Sequence, residues 1–452
     1  MNRIASTLRG PRALFGATGA LVAFFRNPAR HLFELHDAYG PLAALADRNA
    51  AIVCAFGAEA NRTVLSDPNG FRHHVDLPFA VPDDSAPRRL NTSLTSMNGA
   101  LHRSRRRALQ PLFSRPAVEG YRGAMAAEIA ARVPAIGHTG DAVPWLGELA
   151  LAIAMRCLFG VTATAALART AVAYLGRLID PLAIALPLTV PGTPRGRFFA
   201  AARALETGIR DLLDERRRSP GGDDVLARLL DIEEVDDNER IGQATLMFVA
   251  SYETTASTLA WTLLLLSQHP DELAALHEEL APLAGRVPSL DELAGLHRLD
   301  AVVRESMRLI PATPFMFLRR VAAPATVLGH DLPPDALVLL SPLVTHRDRA
   351  QFAEPDRFVP ARWRTSEPSP YAYLPFGAGP RLCLGASFAR QALRLALAAI
   401  LSRAHPQLAA PRLRHGVRGI ILGLDALPLT WVAPGHCRRI PACGLDDLRI
   451  VR

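Results

Sequence analysis

The most constraining feature of this chain is a long helical segment, Ile241–His269, that is apolar on nearly all sides. A helix without a polar face has to be buried. At ~1.5 Å per residue it would be about 40 Å long, so it must cross the interior of a large domain. Its middle nevertheless carries Glu253, Thr254 and Thr255. Either the threonines bond back to carbonyls of their own helix, or this polar centre has a function.

Other periodic segments predict the rest of the fold. Helical spacing of apolar residues occurs at Leu205–Arg217, Leu299–Leu309 and Ala386–His405. Short β-prone segments occur at 43–57, 325–340 and 419–432. The chain contains no tandem repeat. We therefore predict a single, mainly α domain with a minor β region over residues 1–452.

Three segments lack a regular pattern. Leu65–Gly99 is polar and interrupted by prolines, which predicts a long functional or disordered loop. Pro181–Gly192 is apolar but contains three prolines, which predicts a hydrophobic lid or bend. Pro434–Arg452 is typical of an exposed tail. Its Cys437 and Cys443 could pair or bind a metal, although nothing completes a metal set.

Charge and cysteine content limit the partners and the compartment. The 51 basic residues are all arginine and outnumber the 43 acidic ones, for a net charge of +8. They are spread along the chain apart from one dense run, which favours a patch that docks an acidic protein over nucleic-acid binding. Five cysteines in a chain of this length do not form a disulfide framework. They indicate a reducing compartment.

The early apolar run Ala13–Phe25 is too short to cross a bilayer, which needs ~20 residues. No convincing signal-peptide cleavage site follows it. We therefore expect no membrane span and a cytoplasmic location.

Cys383 lies in a glycine-rich loop directly before a long amphipathic helix. The start of a helix and the nearby Arg381 both favour a thiolate at this position. Such a thiolate can be a nucleophile or a metal ligand, and no histidine close in sequence offers a base. Tight turns and a close approach to a flat ligand are allowed by three glycines: Gly377, Gly379 and Gly385.

The segment FGAGPRLCLG resembles the haem-binding loop of the cytochrome P-450 family, F-x-x-G-x-R-x-C-x-G. Every fixed position is matched, by Phe376, Gly379, Arg381, Cys383 and Gly385. The resemblance covers residues 30–429 and implies a triangular prism of helices around haem b. It also implies that Cys383 is the iron ligand, and it places Gly377 at the cofactor.

Glu305 and Arg308 are three residues apart on one helix face, which alone would indicate a surface ion pair. The resemblance implies instead that this E-x-x-R pair is buried. Arg357, in the segment PDRF, would join it. A buried ionic cluster is not a strong stabiliser, so its expected role is to fix one packing arrangement behind the cofactor.

The polar centre of the long helix resembles the family's A-G-x-[DE]-T motif, with Ala250 beside the cofactor. The resemblance implies that Thr254 holds dioxygen and water and that Glu253 relays protons. Ser251 replaces the usual glycine, so the helix could open differently there and its hydroxyl could face substrate. Tyr252 occupies the variable position of the motif.

A further similarity concerns cofactor carboxylates. The segment LHRSRRR contains H-x-x-x-R, and the resemblance implies that His102 and Arg106 bind the haem propionates. One of Arg319 and Arg320 should do the same, and the spacing to Gly329 favours Arg320. The expected substrate pocket is lined by Phe248, Ser251, Tyr252, Thr313, Phe315, Met316 and Phe317.

The resemblance implies a haem-thiolate monooxygenase. It would insert one oxygen atom from O2 into a hydrophobic small molecule, by hydroxylation or epoxidation, in secondary metabolism. No G-x-G-x-x-G follows a strand, so electrons would come from separate proteins, and we expect a ferredoxin and its reductase or a similar electron donor. We expect a monomer.

Two alternatives remain open. One is another haem-thiolate reaction, such as peroxygenation or a non-oxygenating rearrangement, and the acid–alcohol pair argues against peroxygenation. The other is a haem-binding sensor or carrier without turnover, which would not need a proton relay.

Overall fold

The computed structural model describes residues 4, 6–12, 16–77, 79–161, 165–178, 180, 182–183, 186–219, 221 and 224–450. Within these ranges the helices are α1 Gly16–Arg26, α2 Pro28–Tyr39, α3 Ala58–Ser66, α4 Ala86–Leu90, α5 Gly99–Leu109, α6 Arg115–Gly120, α7 Arg122–Ala130, α8 Ala142–Leu158, α9 Ala165–Leu178, α10 Pro194–Arg218, α11 Val225–Leu230, α12 Asp237–Gln268, α13 Pro270–Leu280, α14 Leu290–Gly295, α15 His297–Leu309, α16 Pro342–Thr345 and α17 Ala386–Leu401.

The strands in the same ranges are β1 Leu42–Ala46, β2 Asn49–Ala55, β3 Phe71–His73, β4 Thr139–Asp141, β5 Arg319–Val321, β6 Ala325–Val327, β7 His330–Leu332, β8 Leu337–Leu340, β9 His405–Leu408, β10 His415–Arg418, β11 Ile421–Leu424 and β12 Pro428–Val432. The predicted fold class, mainly α with a minor β region, is confirmed. The segment predicted as a helix up to His405 ends as a helix at Leu401, and His405 begins β9.

Helix α12 is the axis of the core. It begins at Asp237, where the Asp236 carboxylate accepts a hydrogen bond from the Glu239 amide at 2.8 Å. It ends at Gln268, just before Pro270, which cannot continue a helix. It packs against α4, α8, α10, α15, α17 and β11. No helix in the described ranges has both the length and the apolar character needed to cross a bilayer.

The largest sheet has the strand order β1-β2-β8-β5-β3, in which β2 and β8 are parallel and the other neighbours antiparallel. Strands β1 and β2 are wholly buried. In β5, Arg319 pairs with His73 and Arg320 with Arg72. Because side chains alternate along a strand, the two arginines of β5 point to opposite faces of the sheet.

The prediction of a long irregular loop at Leu65–Gly99 is wrong. This segment contains β3 and α4, and α4 packs against both α10 and α12. The apolar residues Phe71 and Leu90 anchor these two elements in the core. The predicted lid at Pro181–Gly192 includes residues 181, 184 and 185, which lie outside the described residues.

The prediction of an exposed tail at Pro434–Arg452 is also wrong for the part that the structure describes. Ala442, Leu445 and Leu448 are buried. The Leu448 carbonyl accepts a hydrogen bond at 3.0 Å from the buried guanidinium of Arg347. The tail packs through these apolar side chains and through backbone carbonyl groups, and the backbone contacts leave no side-chain pattern in the sequence. The five cysteines, including Cys437 and Cys443, are free thiols.

Candidate active site

One face of α12 is accessible although most of the helix is buried. Ala250 is exposed near its middle, and Leu246 and Thr254, one turn to either side, are partly exposed. Residues four apart share a helix face, so these three lie in one row. A cleft therefore borders α12 beside the predicted acid–alcohol pair. Sequence reasoning missed Leu246, which the same spacing could have identified.

The hydroxyls of α12 bond back to its own carbonyls. Thr254 Oγ1 donates to Ala250 O at 2.9 Å, and Ser251 Oγ donates to Phe248 O at 3.0 Å. The helix is continuous through Ser251, so the serine in place of glycine does not open it. A hydroxyl that donates its proton can still accept hydrogen bonds. The Thr254 hydroxyl oxygen can therefore accept a hydrogen bond from a group in the cleft.

Glu253 is half-buried next to this face. Burial raises the pKa of its carboxyl group, while the Tyr252 hydroxyl at 3.5 Å and the charge of Arg418 act in the opposite direction. A carboxyl group whose pKa is raised toward neutrality exchanges protons more readily at working pH. Glu253 is thus a partly accessible acid beside Thr254, with its carboxyl pKa raised by burial.

The loop that holds Cys383 depends on its glycines. Gly377 and Gly379 have φ angles of 72° and 68°, a region that side chains rarely adopt. A Cβ atom at Gly379 would also clash with the carbonyl oxygen of Leu65. The Cys383 amide donates to Phe376 O at 2.8 Å, which closes the loop directly before α17.

Cys383 is exposed to solvent, yet it is surrounded by protein. Burial raises the pKa of its thiol, and a hydrogen bond with the Gly385 backbone and the charge of Arg106 partly oppose this effect. An accessible group that is also desolvated by its surroundings lies in a concavity. Cys383 therefore lies at the bottom of a cleft.

Four ionisable nitrogen side chains from three separate segments influence one another's pKa: His102, Arg106, Arg319 and Arg381. One of them, Arg106, also influences the pKa of Cys383. Burial and the neighbouring arginines lower the pKa of His102 to about 4. Burial and then Arg106 lower the pKa of Arg381 to about 10. Among the described residues, no carboxylate contributes to the pKa of any of these four.

Arg381 also fixes the segment before α5. Its guanidinium donates to the carbonyl oxygens of Leu94 at 3.0 Å and Met97 at 2.5 Å, and to Asn98 Oδ1 at 2.9 Å. The Cys383 loop and the start of α5 are therefore held together. His102 and Arg106 follow on α5.

The preference for Arg320 at this cluster is corrected by the structure. Arg319 is 3% exposed, and its Nη1 has no hydrogen-bond partner. Burial, and secondarily Arg381, lower the pKa of Arg319 to about 9. Arg320 points to the other face of β5, where it donates to Asp76 at 3.2 Å. Side chains alternate between the two faces of β5, and this alternation places Arg319, and not Arg320, in the cluster. The distance along the sequence to Gly329 carries no information about the face.

Glu305 is the centre of a fully buried polar cluster. Arg308 donates to both of its carboxylate oxygens, at 2.9 Å each. Trp363 Nε1 donates to Oε2 at 2.9 Å, and Arg362 Nε donates to Oε1 at 3.0 Å. Glu305 and Arg308 are both 0% exposed. The predicted pair is thus a buried cluster and not a surface bridge.

The prediction that Arg357 completes this cluster is wrong. Its side chain is exposed and donates to Glu354 at 2.6 Å, and only its carbonyl oxygen accepts from Arg308, at 3.0 Å. Arg362 takes the expected place because a 3-10 turn at Pro360–Arg364 directs it inward.

His346 connects the Glu305 cluster to the Cys383 loop. Its Nδ1 lies 3.0 Å from Arg308 O, and its Nε2 accepts from the Leu374 amide at 2.7 Å. Leu374 lies two residues before Phe376, whose carbonyl oxygen closes the loop. The cluster therefore supports the loop from behind.

The residues expected to line the pocket divide into two groups. Ser251, Thr313, Met316 and Phe317 are partly exposed. Phe248 is 0% exposed and its ring packs on Phe159 and Tyr252, so Phe248 belongs to the core and not to an accessible pocket. Tyr252 and Phe315 are also buried, and the Phe315 ring contacts Phe24.

The arrangement suits a flat ligand that carries anionic groups. The donor set offers one accessible sulfur in a tight loop, three buried or partly buried arginines without carboxylate neighbours, the imidazole of His102, and an orphan nitrogen on Arg319. Haem b, the cofactor expected from the sequence, has two propionates and an iron that accepts a thiolate. The residues present fit it.

Comparison with known proteins gives three relevant similarities. A model of the family described as cytochrome P-450 matches residues 9–408. Cyclooctat-9-en-7-ol 5-monooxygenase of Streptomyces melanosporofaciens is 33% identical over 407 residues, covering 85% of this chain and 86% of that protein. Pentalenene oxygenase of Streptomyces avermitilis is 34% identical over 320 residues, covering 67% and 71% respectively.

A solved structure has the same fold. The retinoic acid-bound structure of a cyanobacterial protein superposes with a TM-score of 0.78 at 24% sequence identity. The match covers 94% of this chain and 100% of that one.

Proposed function

This chain belongs to the cytochrome P-450 family and is a haem-dependent monooxygenase, and from this we propose that it oxygenates a neutral, hydrophobic small molecule of terpenoid type. The observation that carries the substrate proposal is the accessible face of α12. Between Leu246 and Thr254, Glu253 is the one charged side chain. Such a face offers no cation to a substrate carboxylate. The names of the two Streptomyces relatives specify an alkenol and an alkene-type hydrocarbon.

The test is a panel of neutral cyclic terpene hydrocarbons and alcohols, with terpene carboxylic acids of matched size. We expect shifts of the haem spectrum with the neutral compounds, and products that contain one atom from labelled dioxygen. Binding restricted to the acids would contradict the substrate proposal. Products without the label would contradict oxygen insertion.

We propose that Cys383 would supply the thiolate that binds the haem iron and that Phe376, Gly377, Gly379, Arg381 and Gly385 shape the loop that holds it. His102, Arg106, Arg319 and Arg381 would hold the propionates. When bound, haem supplies the activation of dioxygen. The three arginines would neutralise the propionates in a partly desolvated site, and the neutral imidazole of His102 would donate a hydrogen bond to them.

Replacing Arg319 with glutamine should weaken haem retention roughly tenfold or more, because a hydrogen bond to a charged partner contributes about 1.5–3 kcal/mol. The measurement is the rate of haem transfer to an excess of apomyoglobin. Arg320→Gln is the matched control and should change that rate by less than about twofold, since it removes an exposed ion pair. A larger effect of Arg320→Gln would restore the first assignment.

In the proposed mechanism, Glu253 takes a proton from the solvent side and passes it toward the cleft. Thr254 Oγ1 orients the next water or ligand oxygen by accepting a hydrogen bond from it. The apolar side chains of the accessible α12 face limit the water that reaches the site. Proton delivery is then confined to one route.

Thr254→Ala should uncouple electron use from product formation without unfolding the protein. A positioned proton relay contributes about 10²–10⁴-fold, so product per electron should fall roughly tenfold or more while peroxide rises. Thr255→Ala is the matched control, because that hydroxyl makes the same back-bond, at 3.0 Å, from a buried position. Equal coupling in both variants would contradict the relay.

We propose that a ferredoxin and its reductase supply the electrons and that the protein works as a cytoplasmic monomer. The family requires a redox partner, and the net charge of +8 favours an acidic one. Arg103 and Arg107 are exposed on α5, the helix that carries two of the expected propionate ligands.

Arg103→Glu should slow reduction by ferredoxin roughly tenfold at low ionic strength, because opposite charges raise association rates. The difference should shrink at high salt, where the Debye length falls. Arg197→Glu, at an exposed position of α10, makes the same change in net charge and serves as control. Equal rates and salt slopes in stopped-flow reduction would place docking elsewhere.

A further inference from the structure

The β10–β11 hairpin brings a cation to the acid of α12. Arg418 is the last residue of β10, beside the hairpin turn. The carbonyl oxygen of Leu422 in β11 accepts hydrogen bonds from Ser257 Oγ at 2.6 Å and Trp261 Nε1 at 2.9 Å, so the hairpin is fixed on α12. Ser257 lies one helical turn after Glu253, on the same face. The hairpin is therefore held alongside the carboxylate.

Arg418 acts on two carboxylates. Its Nη2 donates to Asp425 Oδ1 at 2.9 Å, and the two side chains are 65% and 52% exposed. Its charge also lowers the carboxyl pKa of Glu253, against the larger and opposite effect of burial. On the described part of the chain, Tyr252 is the other ionisable group that acts on Glu253, through a contact of 3.5 Å.

We propose that Arg418 is a positioning residue for the charge of Glu253: from the hairpin that is fixed on α12 it stabilises the ionised carboxylate, in competition with Asp425. The inference rests on the proposed function, in which Glu253 passes protons to the cleft. Arg418 and Asp425 are exposed, whereas Glu253 is half-buried. The side of Glu253 that faces the hairpin is therefore the side on which solvent supplies protons.

Two substitutions separate this role from a purely structural one. Arg418→Gln and Asp425→Asn break the same surface ion pair, so any structural effect on the hairpin should be similar. Their effects on Glu253 should be opposite. Loss of the cation removes a stabilising charge and raises the pKa of Glu253. In Asp425→Asn, Arg418 no longer interacts with a competing carboxylate. Its charge then acts on Glu253 alone and lowers the pKa of Glu253.

The experiment is an infrared titration of the Glu253 carboxyl group in the haem-loaded full chain, with Glu253→Gln as the reference for subtraction. We expect the midpoint to move to higher pH in Arg418→Gln and to lower pH in Asp425→Asn. Arg418→Lys keeps the charge and should restore a midpoint near that of the wild type. The pH profile of coupling should shift in the same sense in each variant.

Unchanged midpoints, or shifts in the same direction in both variants, would overturn the proposal. The proposed relay fails by a different result, namely full coupling in Glu253→Gln. In that case the infrared midpoints still decide whether Arg418 controls the charge of Glu253.

Discussion

Replacing Cys383 with alanine should abolish the thiolate-type spectrum of the reduced carbon monoxide complex, together with all turnover. The reason is that an anionic sulfur ligand sets the electronic character of the haem iron, and no other side chain of the loop can supply one. The measurement is the absorption spectrum of the reduced, carbon monoxide-bound variant, with haem content determined in parallel.

The other cysteines provide the controls for this experiment. Cys54 and Cys157 are buried, and burial raises the pKa of each thiol to about 12, whereas Cys383 is accessible to a ligand. Cys437 and Cys443 lie against the carbonyl oxygens of Pro406 and Pro411. Alanine at Cys157 or Cys437 should leave the spectrum intact. A thiolate-type spectrum that survives in Cys383→Ala would contradict the assignment.

Glu305→Ala should prevent stable haem incorporation and lower the free energy of unfolding by about 3–5 kcal/mol, because Arg308 and Arg362 would remain as buried charges without their carboxylate. That loss is a large fraction of the roughly 5–15 kcal/mol that stabilises an ordinary domain. Soluble yield, haem content and the midpoint of urea unfolding measure the effect.

Two variants make this prediction specific. Glu305→Gln keeps the side-chain shape and part of the hydrogen bonding, so it should be soluble enough to unfold reversibly and show a smaller loss. Arg357→Ala removes an exposed ion pair and should change stability by no more than about 1 kcal/mol. If Arg357→Ala were as damaging as Arg362→Ala, the assignment of the third member of the cluster would be reversed.

The sequence predicted the parts of the site that depend on local geometry. The left-handed conformations of Gly377 and Gly379, and the place of Ala250 and Thr254 on one face of α12, follow from residue type and helical period. Spacing also placed Glu305 and Arg308 on one helix face, although the expectation that the pair is buried came from the family resemblance. In each case the information is contained within about ten consecutive residues.

The features that sequence reasoning missed depend on how distant segments meet. Arg357 and Arg362 both follow the E-x-x-R helix, and the path of an irregular segment decides which one turns inward. Arg319 and Arg320 are neighbours, and the register of β5 against β3 decides which one is buried. Neither the path nor the register is encoded in the spacing of the residues concerned.

The hydrogen bond between Arg347 and the tail can form only late in translation. During translation this arginine is synthesised 101 positions before Leu448, one of the carbonyl groups that receive its buried guanidinium. Until residue 448 has left the ribosome, that hydrogen bond cannot form. A nascent chain that stops at residue 434 therefore holds an incompletely bonded charge in its interior, and this part of the core closes only late in synthesis.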